Sequence, residues 1–177
     1  IPLTEEVIST VPELDLPQTR EVQKWIAHFK GRGRHTYQEW LNQGQTLRPI
    51  IEEELQSLGL PKELFYLAMI ESGFNNRALS SAKARGPWQF IAKTAKYYGL
   101  NINYWLDERQ DPRLSTEAAA VYLQDLYDEF EDWLLVIAAY NNGPTRIRRA
   151  IRKAKTNDIN SGGTPMPPSY LNEVLDN

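Results

Sequence analysis

The stretch LPKELFYLAMIESGF (60–74) closes an apolar run on a carboxylate. Pro61 suits the first position of a helix, where its missing N–H is no loss, and Gly73 suits the left-handed residue just past a helix end. These two residues predict a helix over about 61–72. Its middle, LFYLAMI (64–70), is apolar on every side, which predicts a buried central helix. Glu71 then falls on the last turn, where the helix dipole is negative and solvent is partly excluded. Dipole and desolvation alike disfavour the charged form, so the pKa of Glu71 is expected to rise. A carboxyl that keeps its proton near neutrality can protonate a leaving oxygen as a general acid. The plainer role, ending a buried helix on a backbone N–H or on Arg77 or Arg85, stands beside it.

Outward from this helix the pattern stays helical. EVQKWIAHFK (21–30) spaces Val22, Trp25, Ile26 and Phe29 for a helix that GRGR (31–34) ends. TYQEWLNQGQ and LRPIIEEELQSLGL read as two further helical segments, the second with Ile50, Ile51, Leu55 and Leu58 as its stripe. GPWQFIAKTAKYYGL (86–100) predicts a helix opened by Gly86 and Pro87 and closed by Gly99. DPRLSTEAAAVYLQDLYDEF (111–130) and DWLLVIAAYNNG (132–143) predict two more, and Pro144 opens another. SGGTPMPP (161–168) reads as a loop before a short last helix, SYLNEVLD. No alternating strand pattern appears, so the class is all-α.

At 177 residues the chain fits one domain, or one domain with an arm. The first 20 or so residues hold three prolines and weak periodicity, which suggests an extended arm. Residues 1–46 are expected to form that arm and its helices, packed on a body at 47–177. Twenty basic and 23 acidic residues give a net charge of -3, no general field for nucleic acid or anionic membrane. The basic run RIRRAIRKAK (146–155) reads as the solvated face of a helix. Without cysteine there are no disulfides or thiolate sites, and no apolar stretch approaches the roughly 20 residues of a membrane span. The chain starts at Ile1, so any targeting segment is expected to lie outside it.

Two other segments join Glu71 as candidates. GPWQ (86–89) and AYNNG (139–143) place small and polar groups at helix ends that could line a cleft. Gln89 and Asn141 offer donors and acceptors, while Trp88 and Tyr140 offer flat faces with a polar tip. Such a set suits sugar hydroxyls and acetamido groups. The plainer reading is that the aromatics are core and that Asn-Asn-Gly is a helix stop.

ESGF, GPWQF about 15 residues later, and AYNNGPTRI resemble the Glu-Ser, Gly-x-x-Gln and Ala-Tyr-Asn motifs of the family 1, Slt-type lytic transglycosylases. The resemblance runs from about Leu47 to Ala154, and within the family it is nearest the membrane-bound lytic murein transglycosylase D subgroup. It implies a lysozyme-like α-domain with a groove for glycan strands. It implies cleavage of the β-1,4 bond between N-acetylmuramic acid and N-acetylglucosamine without water, giving a 1,6-anhydromuramoyl end. Carried over by position, Glu71 is the catalytic acid and then base, and Ser72 orients it or a substrate acetamide. Gly86 and Gln89 shape and bind the groove, with Trp88 counted among the substrate-binding residues, and Tyr140 and Asn141 hold the sugar. The substrate implies the bacterial periplasm or cell envelope, with a lipid anchor a possibility for a longer chain.

One glutamate is enough for that reaction. An ordinary glycosidase needs two carboxyl groups, whereas here the muramic acid's own 6-hydroxyl attacks the anomeric carbon. Asp107, Glu108 and Asp111 are the available second acids, and DERQDPRL reads instead as a surface turn and helix start. A goose-type muramidase, which hydrolyses, and an inactive peptidoglycan-binding domain are the alternatives. His28 and His35 form no metal pattern, no phosphate-type glycine loop occurs, and neither a cofactor nor a metal is expected. A monomer is expected.

Overall fold

Gly73 takes the left-handed conformation (φ 62°, ψ 27°) in the computed structural model, and its N–H bonds back to Met69 O. The structure describes residue 14 and residues 18–161, with side chains as far as residue 156. Most of the expected arm, nearly all of the loop at 161–168 and the short last helix lie outside the described residues. The elements are α1 (Arg20–Lys30), α2 (Arg34–Ser57), α3 (Phe65–Ser72), α4 (Ala92–Tyr97), α5 (Pro112–Phe130), α6 (Trp133–Asn142) and α7 (Pro144–Ser161). Short 3-10 turns at Lys62–Leu64 and Glu108–Gln110 precede α3 and α5. Among the described residues the β-pairing consists of isolated bridges, so the all-α class holds. The chain divides into two compact units, residues 1–122 and residues 123–177.

In the first unit α1 begins at Thr19, whose hydroxyl oxygen accepts from Val22 N at 3.2 Å. The two helical segments expected after it are one helix, α2, which continues through Pro49. An interior proline removes one helix hydrogen bond. Burial of Leu47, Ile51 and Leu55 on either side of it offsets that loss, which local sequence cannot show. A Cβ on Gly44 would come within 2.5 Å of the Phe74 ring, so its absence lets α2 lie against the stacked Phe65–Phe74 pair.

Helix α3 is buried on one side only. Phe65, Leu67, Ala68 and Met69 are inside, but Ile70 is 71% exposed and Tyr66 lies at the surface, which corrects the expectation of burial all round. A wholly apolar run carries no periodicity to mark its outer face. Helix α4 starts at Ala92, not at Gly86. Residues 86–90 form a turn instead, with Gly86 and Gln89 at positive φ (84° and 49°) and Arg85 bridged to Phe90. Left-handed residues cannot continue a right-handed helix.

In the second unit Asp132 caps α6, its carboxylate accepting from Leu134 N and Leu135 N at 2.8 and 3.1 Å. Gly143 ends α6 with φ 82°, and Tyr127 stacks on Trp133 with ring centroids 4.4 Å apart. Helix α7 buries Ile147 and Ala154. Its arginines and lysines at 146–155 face solvent, with Arg148 paired to Glu129, so the basic run is a solvated helix face.

Candidate active site

Glu71 occupies the last turn of α3, partly buried. Among the described residues its carboxyl meets no hydrogen-bond donor and no cation, so the plainer role as a helix-ending ion pair is not observed. Arg85 turns to Asp107 instead, 3.5 Å away. Burial alone pushes the Glu71 carboxyl above the usual carboxylate range, and no neighbouring charge adds to the shift or opposes it. A raised, unpaired carboxyl at a helix end is suited to hold a proton and to release it to a developing alkoxide.

The next residue ties this helix to the turn at 83–90. Ser72 Oγ donates to Pro87 O at 2.8 Å, with Ala68 O as a second acceptor at 3.2 Å. Gly86 is required by close backbone approach: a Cβ there would stand 1.7 Å from Arg109 O. Gln89 Nε2 donates to Gly86 O at 2.8 Å and faces Ala78 O at 3.4 Å. These carbonyls orient the amide and leave Oε1 without a partner among the described residues, an acceptor for a hydroxyl or an acetamido N–H. Glu71, Ser72, Gly86 and Gln89 are thus brought together by short connections within one unit.

Trp88 is corrected. It is fully buried, and its indole N–H donates to Thr116 Oγ1 at 2.9 Å. No face of the ring is open to a sugar, so Trp88 belongs to the core beneath the turn. Tyr140 and Asn141 sit on the last turn of α6 in the second unit, the tyrosine half-buried and the asparagine exposed.

Sequence reading missed the support behind the turn. Asp107 takes Arg109 Nε and Nη2 at 2.8 and 2.7 Å, and the hydrogen bonds to this guanidinium hold its carboxyl below the usual range. Glu108 accepts from Asn101 N and Nδ2, and Asp111 caps α5 by accepting from Arg113 N and Leu114 N. All three acids are occupied structurally, so none stands ready as a second catalytic carboxyl. The one trace in the sequence is an arginine set among acids in DERQD (107–111), a pattern that usually lies at the surface. Among the described residues no group of acids and histidines is arranged to hold a metal. His28 packs against Trp25 and Phe29, and His35 lies 3.5 Å from Glu39.

Residues 48–161 match the model of the transglycosylase SLT domain. Over 120 residues, 66% of this chain, the sequence is 38% identical to membrane-bound lytic murein transglycosylase D of Escherichia coli (strain K12), and it covers 26% of that protein. It is 42% identical over 106 residues to a protein of Alteromonas sp. (strain M-1) named for tributyltin chloride resistance, covering 59% of this chain and 51% of the relative. The chain therefore spans about a quarter to a half of the length of these relatives. Among solved structures, the X-ray structure of an inactive Glu-to-Gln mutant of lytic transglycosylase Slt from Pseudomonas aeruginosa aligns with a TM-score of 0.51 at 25% identity. That alignment covers 58% of this chain and 18% of the other, and it bears out the all-α, lysozyme-like architecture.

Proposed function

We propose that this chain, which belongs to the transglycosylase SLT domain family, cuts peptidoglycan glycan strands at the β-1,4 bond between N-acetylmuramic acid and N-acetylglucosamine without using water. The supporting observation is Glu71 itself: desolvated, unpaired, and joined through Ser72 to the turn that carries Gln89. In the first step protonated Glu71 donates to the leaving glycosidic oxygen. In the second, the resulting carboxylate takes the proton of the muramic acid 6-hydroxyl as that oxygen attacks the anomeric carbon, and a 1,6-anhydro ring closes. The proton is returned, no water enters, and one carboxyl serves each step in turn. The absence of a second free acid at Asp107, Glu108 or Asp111 fits this course better than hydrolysis.

Gln89 Oε1 is assigned to a substrate hydroxyl or acetamido group, while the roles of Tyr140 and Asn141 in holding the sugar rest on the family resemblance alone. Ser72 and Gly86 act by fixing the turn rather than by touching glycan. The substrate sets the place of action in the bacterial envelope, on the periplasmic side, and the chain acts as a monomer.

Glu71→Gln keeps the shape of the side chain and loses the transferable proton. Incubated with purified peptidoglycan, the parent chain should release fragments ending in 1,6-anhydromuramic acid, and the variant should release at least about a hundredfold less. Mass spectrometry separates the readings: products heavier by one water mark a muramidase, and glycan binding without turnover by the parent chain marks a binding domain.

A further inference from the structure

Behind the turn at 83–90 lies a group that the reaction scheme leaves unused. We propose that Arg109 is a positioning residue: its guanidinium and its own peptide group clamp the turn and so fix the Ser72–Pro87 contact that seats Glu71. The inference rests on the transglycosylase reading above and deepens it.

Three contacts carry it. Arg109 Nη1 donates to Lys83 O at 3.1 Å and to Phe90 O at 3.0 Å, the two ends of the turn. Its main-chain oxygen presses on the middle, where it leaves no room for a Cβ on Gly86. Between these points Pro87 O receives the hydroxyl of Ser72, next in sequence to the proposed acid. The remaining guanidinium donors Nε and Nη2 are taken by Asp107, and Arg109 is only 6% exposed, so its donors face protein and not a ligand.

The turn needs such a clamp. Lys83, Gly86 and Gln89 all adopt positive φ (60°, 84° and 49°) within seven residues. For the two that carry side chains this conformation is unfavourable, and it persists where surroundings impose it. Lysine could not replace the clamp. One ammonium cannot reach two carbonyls and both oxygens of Asp107 as a planar fork does.

Release of anhydro-ended fragments from purified glycan strands, measured for Arg109→Lys well below its unfolding midpoint, tests the proposal. Expected is a fall in kcat of about tenfold or more with KM changed less than about threefold, the signature of misplaced chemistry rather than lost binding. In a Ser72→Ala background the same replacement should cost less than about threefold, because both changes cut one connection. A folded Arg109→Lys protein with kcat within about twofold of the parent, or losses that multiply in the double variant, overturns the clamp. Should Arg109→Lys not fold, Asp107→Asn, which keeps the carboxylate's shape, takes its place with the same outcomes. If the parent chain itself releases no product, the transglycosylase reading has failed, and amide exchange still reads the clamp. Faster exchange confined to Arg85, Gly86 and Gln89 in Arg109→Lys supports it, and unchanged exchange at those amides sinks it.

Discussion

The hydroxyl of Ser72 reaches across to the main-chain carbonyl of Pro87, 2.8 Å away, and makes the residue after Glu71 the fastener between α3 and the Gln89 turn. Serine at this position serves geometry through its own donor. Ser72→Ala deletes that donor and leaves Pro87 O unsatisfied in a partly buried place. The expected cost is about 1 kcal/mol in stability, read by chemical denaturation. The accompanying fall in glycan cleavage should be about tenfold, larger than so small a destabilisation explains, because the turn shifts relative to the acid.

Much of this was legible locally, and the reason is punctuation. Gly73 at φ 62°, Asp132 accepting from Leu134 N and Leu135 N, and Gly143 at φ 82° are short-range devices whose residue types announce them. The desolvation of Glu71 was legible too, since a carboxyl closing an apolar run is costly anywhere. Tertiary effects were not. The segments at 36–45 and 47–60 read as two helices, and only the burial of Leu47 and Ile51 on either side of Pro49 makes them one. Gly86-Pro87 looked like a helix start, and only the backbone of Arg109, 23 positions further on, explains why it is a turn. Trp88 could not be assigned to groove or core by type, because an indole serves either, and its partner Thr116 lies 28 residues away.

Glu71→Gln should make the protein more resistant to heat near neutral pH. The folded protein holds the Glu71 proton more tightly than the unfolded chain does, because burial raises its pKa. Its favourable contribution is therefore complete below the unfolded value of about 4.3 and is lost as pH rises through the folded one. Glutamine never ionises and escapes that loss. Thermal midpoints of parent and variant should diverge from acid to neutral pH in the variant's favour. A difference that stays constant over the range would mean that the carboxyl is not desolvated in solution.

The same raised pKa sets the sign of the rate profile. The first step needs the protonated acid, so kcat/KM should hold at pH below the folded pKa of Glu71 and decline as pH climbs past it. Because Asp107 is held low by Arg109, it contributes no limb in that range. A profile that instead rises with pH would point to a carboxylate acting as base from the start.

Gly86→Ala should be far more damaging than an exposed glycine replacement. Its φ of 84° is unfavourable for alanine, and the added methyl would stand 1.7 Å from Arg109 O, a backbone atom that a rotamer change cannot move. We expect a loss of at least about 3 kcal/mol, seen as poor soluble yield or a much lowered denaturation midpoint. Gly99→Ala is the control: its φ is 86°, but nothing lies within 4 Å of the new methyl, so it bears the conformational cost without the collision. Equal losses at the two sites would show that the Arg109 main chain does not crowd Gly86.

Trp88→Phe separates a core role from a glycan-facing one. The replacement withdraws the indole N–H from Thr116 Oγ1, which itself donates to Pro112 O, so it loosens the tie between the turn and the start of α5. It also leaves a void where a fully buried ring had been. Void and lost hydrogen bond together should cost about 2–4 kcal/mol. A buried ring cannot stack on a sugar, so KM for glycan strands, measured well below the lowered midpoint, should stay close to that of the parent. The opposite pattern, stability kept and KM raised severalfold, would put the indole in the groove and reverse its assignment to the core.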